Sequence, residues 1–177
     1  MNIIITILLV VAGIIALLLI IALFMKREHY VNREIIINAP RQNVFDYVKL
    51  LKNQDQFNKW ATADKKNRKE EFKGTDGTVG YIYAWSGNKN AGQGEKEIKN
   101  IIEGKRVETE IRFVKPMRVS ASVIFETASL SDNQTKVSWS NAGTLKYPVN
   151  IMVPMMQKHV AKDMDVSLST LKNILEK

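Results

Sequence analysis

The sequence predicts an α+β fold preceded by one apolar helix, and three observations predict it. Residues 3–24 form an apolar run without a charged side chain. Segments between residues 31 and 144 alternate apolar and polar side chains, as half-buried strands do. Residues 152–175 repeat apolar side chains every three or four positions, which is typical of an amphipathic helix. We therefore expect an anchor at residues 1–25, a linker at residues 26–30 and one folded domain at residues 31–177.

The apolar run from Ile3 to Phe24 is interrupted only by Thr6 and Gly13. At about 1.5 Å per residue it measures roughly 33 Å, enough to cross a hydrocarbon core of about 30 Å. A buried core helix and a cleaved signal peptide are the alternatives. A small domain rarely surrounds a helix that is apolar on every side, and the run lacks the charged leader and cleavage site of a signal peptide. The sequence favours a single-pass anchor in the cell membrane.

Two basic residues, Lys26 and Arg27, follow the run, whereas only the α-amino group precedes it. The positive-inside rule therefore predicts a cytoplasmic domain. The chain has 26 basic and 18 acidic residues, a net charge of +8, and all of them lie after residue 25. A basic domain beside a bilayer is attracted to anionic headgroups, so the membrane is an expected partner.

Nucleic acid is not an expected partner, because the basic residues are interleaved with acidic ones and no nucleic-acid-binding motif is present. A protein partner is left unspecified. The absence of cysteine excludes disulfides, thiolate nucleophiles and cysteine-ligated metals. No other group of residues has the spacing of metal ligands, so no metal and no cofactor is expected.

The domain begins with an alternating segment, residues 31–38, that predicts a strand. Pro40 suits the first turn of a helix whose apolar stripe continues to Leu51, and a second short helix is predicted from Gln54 to Trp60. Turn signals then separate alternating segments at hairpin distances, which predicts an antiparallel meander with one apolar face. The turns are expected at 74–77, 87–90, 103–105 and 131–134, and the last strand ends near Thr144.

The order of these elements resembles the helix-grip fold of the START/Bet v 1-like (SRPBCC) superfamily, in particular its polyketide cyclase/dehydrase-like branch. The resemblance covers about residues 31–175 and is carried by Ile35-Ile36-Ile37-Asn38-Ala39-Pro40 with Val44-Phe45, Trp60, Gly92-Gln93-Gly94, Thr135-Lys136-Val137-Ser138-Trp139 with Gly143, and Leu168-Ser169-Thr170-Leu171-Lys172. The glycines at 92 and 94 are explained by backbone conformation at a strand start. The resemblance implies about seven strands wrapped round the terminal helix and a cavity for apolar molecules between them.

Aromatic and methionine side chains are suited to lining such a cavity, although a packed core would use the same residues. Their alternation places the aromatic ones on the inner face of the sheet, and the methionines lie at the start of the helix. The candidate ligand-binding residues are Tyr81, Tyr83, Trp85, Phe113, Phe125, Trp139, Met152, Met155, Met156 and His159. Trp139 and Phe125 are better suited to core, and Tyr83, Trp85, Met155 and Met156 to lining. Buried tyrosines also require hydrogen-bond partners.

The sequence offers a poor set of catalytic groups. His159, on the predicted closing helix, is the only candidate acid or base among two histidines, since His29 at the membrane junction is expected on the surface. The carboxylates Asp163 and Asp165 on that helix, and Asp55 and Asp64 nearer the entrance, form no evident pair. The sequence therefore favours a protein that is not an enzyme.

The leading hypothesis is membrane-tethered binding of a hydrophobic small molecule or lipid between the sheet and the C-terminal helix. Two alternatives stay open. One is a polyketide cyclase/dehydratase-like enzyme acting on an apolar substrate, with His159 as its base. The other is a membrane-anchored scaffold for protein interaction.

Overall fold

A computed structural model of the chain describes residues 2–62, 68–87 and 92–177. Asp64 and the predicted loop residues 88–90 lie outside these ranges. The α+β architecture is confirmed. The helices are α1 (Ile3–Phe24), α2 (Arg41–Lys49), α3 (Leu51–Phe57), α4 (Lys59–Thr62) and α5 (Val153–Leu175), and a 3-10 turn spans Val149–Met152. The strands are β1 (Glu28–Ile37), β2 (Lys69–Lys73), β3 (Ile82–Ser86), β4 (Gln93–Ile102), β5 (Arg106–Lys115), β6 (Val119–Ser131) and β7 (Gln134–Thr144).

The seven strands form one antiparallel sheet in the order β1-β7-β6-β5-β4-β3-β2. Strands β2 to β7 are a meander in which each strand pairs with the next along the chain, as the hairpin-length turns predict. β1 returns to pair with β7, and Glu28 lies opposite Thr144 while Ile37 lies opposite Thr135. The first and last strands of the domain are therefore neighbours in the sheet.

Helix α5 runs beside β1 in the same direction. Near its start, Gln157 Nε2 donates to the carbonyl of Tyr30 (3.2 Å), and near its end Lys172 Nζ donates to the carbonyl of Ile36 (2.8 Å). Its buried residues, among them Met164, Leu168 and Leu171, pack on the inner face of the sheet. The helical stripe predicted from the sequence is thus the face that covers the strands.

The inner face of the sheet carries two apolar clusters. One joins β1, β6 and β7 to α5, and the other joins β3, β4 and β5 to α2 and α3. Ile111 on β5 packs against both. The second cluster depends on Gly94, where a Cβ atom would lie 2.7 Å from the Trp85 ring. Gly92 has φ +65° and so fits the explanation from backbone conformation, whereas Gly94 is required to leave room for that ring.

Helix α1 is long and apolar enough to cross a membrane, and of its residues only Ala22 is buried. This exposure disfavours the alternative of a buried core helix. β1 begins at Glu28, three residues before the predicted strand start, so the strand follows α1 almost directly. The expectation that His29 lies on the surface is wrong. Its ring is buried on β1, with Nε2 2.9 Å from Asn141 Oδ1, because the strand extends back to include it.

Candidate ligand-binding site

Five of the predicted ligand-binding aromatics are buried in the two clusters of the inner face: Tyr81, Tyr83, Trp85, Phe125 and Trp139. Phe125 and Trp139 stack with ring centroids 4.8 Å apart, and Phe57 of α3 meets both rings edge-on. Aromatic pairs in these geometries stabilise a core beyond their buried area. Trp139 and Phe125 therefore occupy the interior position that the sequence favours for them.

The other predicted residues are exposed or half-buried. Phe113 is 37% exposed at the end of β5, Met152 is 46% exposed and Met155 is 54% exposed, while Met156 is half-buried. These four residues lie at the same end of the domain, where β1 starts, β7 ends and the β5–β6 turn falls. We call this the open end and define it as residues 113–118 together with residues 145–156. The predicted set thus divides into a packed part and an exposed part.

A large concavity of about 1160 Å³ lies at the open end. Its apolar border comes from the β5–β6 hairpin and from the segment after β7, with Phe113, Met117, Leu145, Tyr147 and Val149 among its residues. Strand residues from both faces of the sheet border the concavity, and no described residue of α5 does. The concavity therefore lies around the end of the sheet and not between the sheet and α5, where the sequence predicts that the ligand binds. Phe113 is the predicted ligand-binding residue that borders it.

The interior beside β3 and β4 contains a group of polar side chains that sequence reasoning missed. We call it the polar cluster, and it consists of Gln54, Asp55, Arg68, Glu70, Tyr83 and Lys96. Lys96 is only 8% exposed, and its Nζ donates to Gln54 Oε1. Gln54 in turn donates to the carbonyl of Val48 (2.7 Å). Burial lowers the pKa of Lys96 to about 8, and the charge of Asp55 opposes that change.

The rest of the polar cluster is centred on Arg68. Its Nη2 lies 2.7 Å from Asp55 Oδ2 and 2.8 Å from Glu70 Oε1, and it also donates to the Tyr83 hydroxyl. The Tyr83 hydroxyl donates to Glu70 (3.0 Å). Burial raises the pKa of Asp55, although Tyr83 and Arg68 act in the opposite direction. These hydrogen bonds and ion pairs hold Tyr83 in the interior.

The two buried tyrosines of the predicted site differ. Tyr83 has the partners that a buried hydroxyl requires, whereas the Tyr81 hydroxyl has no hydrogen-bond partner among the described residues. Burial raises the pKa of Tyr81 to about 12, with smaller contributions from the charges of Asp76 and Asp55. Tyr81 is therefore neutral at physiological pH and keeps a donor free within the second cluster.

His159 is exposed on α5, where its Nδ1 lies 3.2 Å from the carbonyl of Met155 in the preceding turn. Asp163 is paired with Lys59, and Asp165 lies 3.1 Å from Arg33. These groups form surface ion pairs. The described residues therefore bring neither carboxylate of α5 to His159.

No protein-family model and no curated relative matches the chain. Solved structures do. Norcoclaurine synthase from Thalictrum flavum matches with a TM-score of 0.64 and 12% identity, over 86% of this chain and 97% of that chain. The Aha1 dimer protein from Colwellia psychrerythraea matches with a TM-score of 0.56 and 18% identity, over 84% and 96%. Ara h 8.0201 matches with a TM-score of 0.53 and 15% identity, over 81% and 98%.

At such low sequence identities the structural similarity supports the fold alone. It agrees with the observed seven-stranded antiparallel sheet, the short helices after β1 and the long C-terminal helix. The chain has the Bet v 1-like helix-grip fold, with an apolar helix added at its N-terminus.

Proposed function

We propose that the protein binds a hydrophobic small molecule or lipid while it is tethered to the cell membrane by α1, with the folded domain in the cytoplasm. The ligand enters at the open end and lies against Phe113 and Met117. One observation carries the proposal, namely a concavity of about 1160 Å³ whose border includes exposed apolar side chains, Phe113 and Met117 among them. Pockets for apolar ligands commonly measure roughly 300–1,000 Å³.

The tether supports this proposal because it raises the local concentration of lipid-soluble ligands at the domain. Helix α1 is exposed along nearly its whole length and ends one turn before β1, so the domain stays beside any bilayer that α1 crosses. Exposed methionines at 117, 152 and 155 add adaptable apolar surface. The cyclase/dehydratase-like alternative has weaker support, since its candidate base His159 is exposed and bonded to its own helix.

Native mass spectrometry of the full chain in detergent tests the proposal, with oleic acid as the probe. We expect one oleate to stay bound per chain after the detergent is removed. The double substitution Phe113→Asp with Met117→Asp places two carboxylates at the mouth and should weaken binding at least about tenfold, equivalent to about 1.4 kcal/mol.

Leu130→Asp is the matched control, because Leu130 is an exposed apolar residue on β6 at the opposite end of the sheet. It should bind oleic acid as the unmodified chain does. The proposal is wrong if oleic acid produces no mass shift, or if the double substitution and Leu130→Asp bind the probe equally well. Circular dichroism of each variant shows whether the fold is retained.

A further inference from the structure

The C-terminal end of α1 is held by the folded domain. Asn150, in the 3-10 turn before α5, donates from Nδ2 to the carbonyls of Ala22 (2.7 Å) and Met25 (3.0 Å). The last carbonyls of a helix have no partner within it, so this side chain satisfies groups that would otherwise need another donor. Both Ala22 and Asn150 are buried at this contact. The end of α1 and the 3-10 turn therefore form a joined unit.

The 3-10 turn also lies beside α1 well before the helix ends. Pro148 and Ile151 face Ile15, Leu18 and Leu19 across a small apolar pocket of about 230 Å³. Leu18 and Ile15 precede Phe24 by about 9 and 14 Å along the helix axis at 1.5 Å per residue. A bilayer that encloses α1 up to Phe24 therefore also encloses the part of the domain that lies beside its last turns.

The domain residues next to this contact are apolar and uncovered. Val114, Tyr147 and Met152 are exposed, as are Phe113, Met117 and Met155. Phe113, Val114, Met117 and Tyr147 border the same concavity, so they form one patch. Contiguous exposed apolar side chains on a small domain indicate an interaction surface.

The charges around this patch are mainly basic. Glu108 and Glu110 also border the concavity, but each of them is paired with an arginine, Glu108 with Arg106 and Glu110 with Arg112. Residues 111–125 and residues 144–162 contain no aspartate or glutamate. They do contain Arg112, Lys115, Arg118, Lys146, Lys158 and Lys162. Lysine and arginine side chains beside apolar ones suit the boundary between acyl chains and anionic headgroups, where their stems lie in the apolar layer and their charges in the headgroups.

From these observations we infer that the open end of the domain inserts into the headgroup boundary of an anionic lipid bilayer beside α1. The concavity then faces the lipid and not the solvent. The occupant of the patch is the bilayer itself. This inference rests on the proposed anchoring by α1 and adds a second membrane contact to it. A ligand would then pass between the bilayer and the concavity without crossing water.

The absence of cysteine makes the inference directly measurable, because one introduced cysteine can be labelled alone. The full chain is reconstituted into vesicles of phosphatidylcholine and phosphatidylglycerol that contain lipids with a nitroxide quencher at known depths. A fluorescent label is placed by Met117→Cys or Tyr147→Cys, and by Leu130→Cys as the control at the opposite end. We expect strong quenching by shallow nitroxides at positions 117 and 147, and none above the background at position 130.

A label at Ile14→Cys, in the middle of α1, separates the inference from the anchoring it rests on. Quenching by deep nitroxides at position 14 with equal quenching at 117 and 130 overturns the docking and leaves the anchor intact. No deep quenching at position 14 overturns both. Binding of oleic acid in detergent is measured independently of either result, so a failure of docking is distinguishable from a failure of ligand binding.

The charges are tested by Lys115→Glu with Arg118→Glu in the Met117→Cys background. Quenching at position 117 should fall at least about twofold in anionic vesicles, whereas Lys73→Glu with Lys105→Glu, two exposed lysines at the opposite end, should leave it unchanged. Equal effects of the two pairs would show that net charge alone, and not the open end, draws the domain to the surface.

Discussion

The two halves of the inner face of the sheet are built differently, although one sheet carries both. The half beneath α5 is formed mainly by apolar side chains, in which Val137, Trp139 and Phe125 pack against Met164 and Leu168. The half beneath α2 and α3 has an apolar cluster of its own, and the polar cluster lies beside it. The stability of the first half therefore depends on the shape and volume of its side chains, whereas the stability of the second half depends also on its charged side chains.

This difference predicts different responses to substitution. Removing volume from a packed apolar region leaves a cavity that the surroundings fill only in part. Removing one member of a buried charged group leaves its partners uncompensated, whereas replacing a charge that is poorly compensated relieves a desolvation penalty. Stability changes measured in each half therefore test whether the two halves differ in this way.

The largest effect is expected in the apolar half. Phe125→Ala should lower the free energy of unfolding by about 3–5 kcal/mol, because Phe125 is almost fully buried between Trp139 and Phe57. Urea unfolding of the full chain in detergent, followed by tryptophan fluorescence, measures the change. Leu130→Ala, at an exposed position of the same strand, should change stability by less than about 0.5 kcal/mol. Similar losses in both variants would contradict the packed interior described for this half.

A loss of about 3 kcal/mol is expected for Arg68→Met in the polar half. Arg68 is paired with Asp55 and Glu70, and its side chain is 6% exposed, so its removal leaves two neighbouring carboxylates without their cation. The same unfolding experiment measures the loss. Lys69→Met, at the exposed neighbouring position, is the control and should be nearly neutral. A neutral Arg68→Met would show that the ion pairs contribute no net stability.

Lys96→Met is expected to have the opposite sign. The pKa of Lys96 falls from 10.5 to about 8 in the folded chain, so the unfolded chain holds more protons between these pH values. Stability therefore rises with pH across that window, and the penalty is complete below about pH 8. The fall corresponds to about 3 kcal/mol, and the lost hydrogen bond to Gln54 offsets about 1, which leaves a net gain of about 2 kcal/mol at neutral pH.

Unfolding of Lys96→Met at about pH 7 and about pH 10 checks this sign, since the gain should shrink as the pH rises. Lys99→Met, an exposed lysine on the same strand, should show no gain that depends on pH. Destabilisation by Lys96→Met at neutral pH would mean that its ammonium group is better compensated by Gln54 and Asp55 than its burial suggests.

The difference between the two halves also separates what could be predicted from the sequence from what could not. The strands, the turns at 74–77, 103–105 and 131–134 and the face of α5 follow from local alternation and spacing, and they are confirmed. Most of the turn predicted at 87–90 lies outside the described residues. Trp139 and Phe125 are interior because their strands alternate strictly. The polar cluster draws Asp55, Arg68 and Lys96 from a helix, a loop and a strand, so no local pattern connects them. Lys96 carried one signal, because it shares its alternation phase with Gly94 and Ile98, both of which face inward.

The burial of His29 and the position of the concavity were not predicted from the sequence, and the reason is a different one. Their environment is set by how the ends of β1, β7 and the β5–β6 hairpin meet in space, and three segments far apart in the chain decide it. The exposure of Met152 and Met155 follows from the same assembly, since α5 reaches the sheet firmly only farther along its length. Whether the ten candidate residues contact a ligand stays a prediction.

The smallest effect expected is the energetic coupling between the halves. Lys96 on β4 lies level with Ile111 on β5 and Ala121 on β6, and Phe125 is four residues farther along β6. At roughly 4.8 Å per strand and 3.3 Å per residue the two side chains are about 16 Å apart, and they share no hydrogen-bond partner. A double-mutant cycle of Phe125→Ala and Lys96→Met should therefore be additive within about 0.5 kcal/mol. Ile111 is the residue that packs against both clusters, so a coupling above about 1 kcal/mol that disappears in an Ile111→Ala background would show that the two halves act as one core.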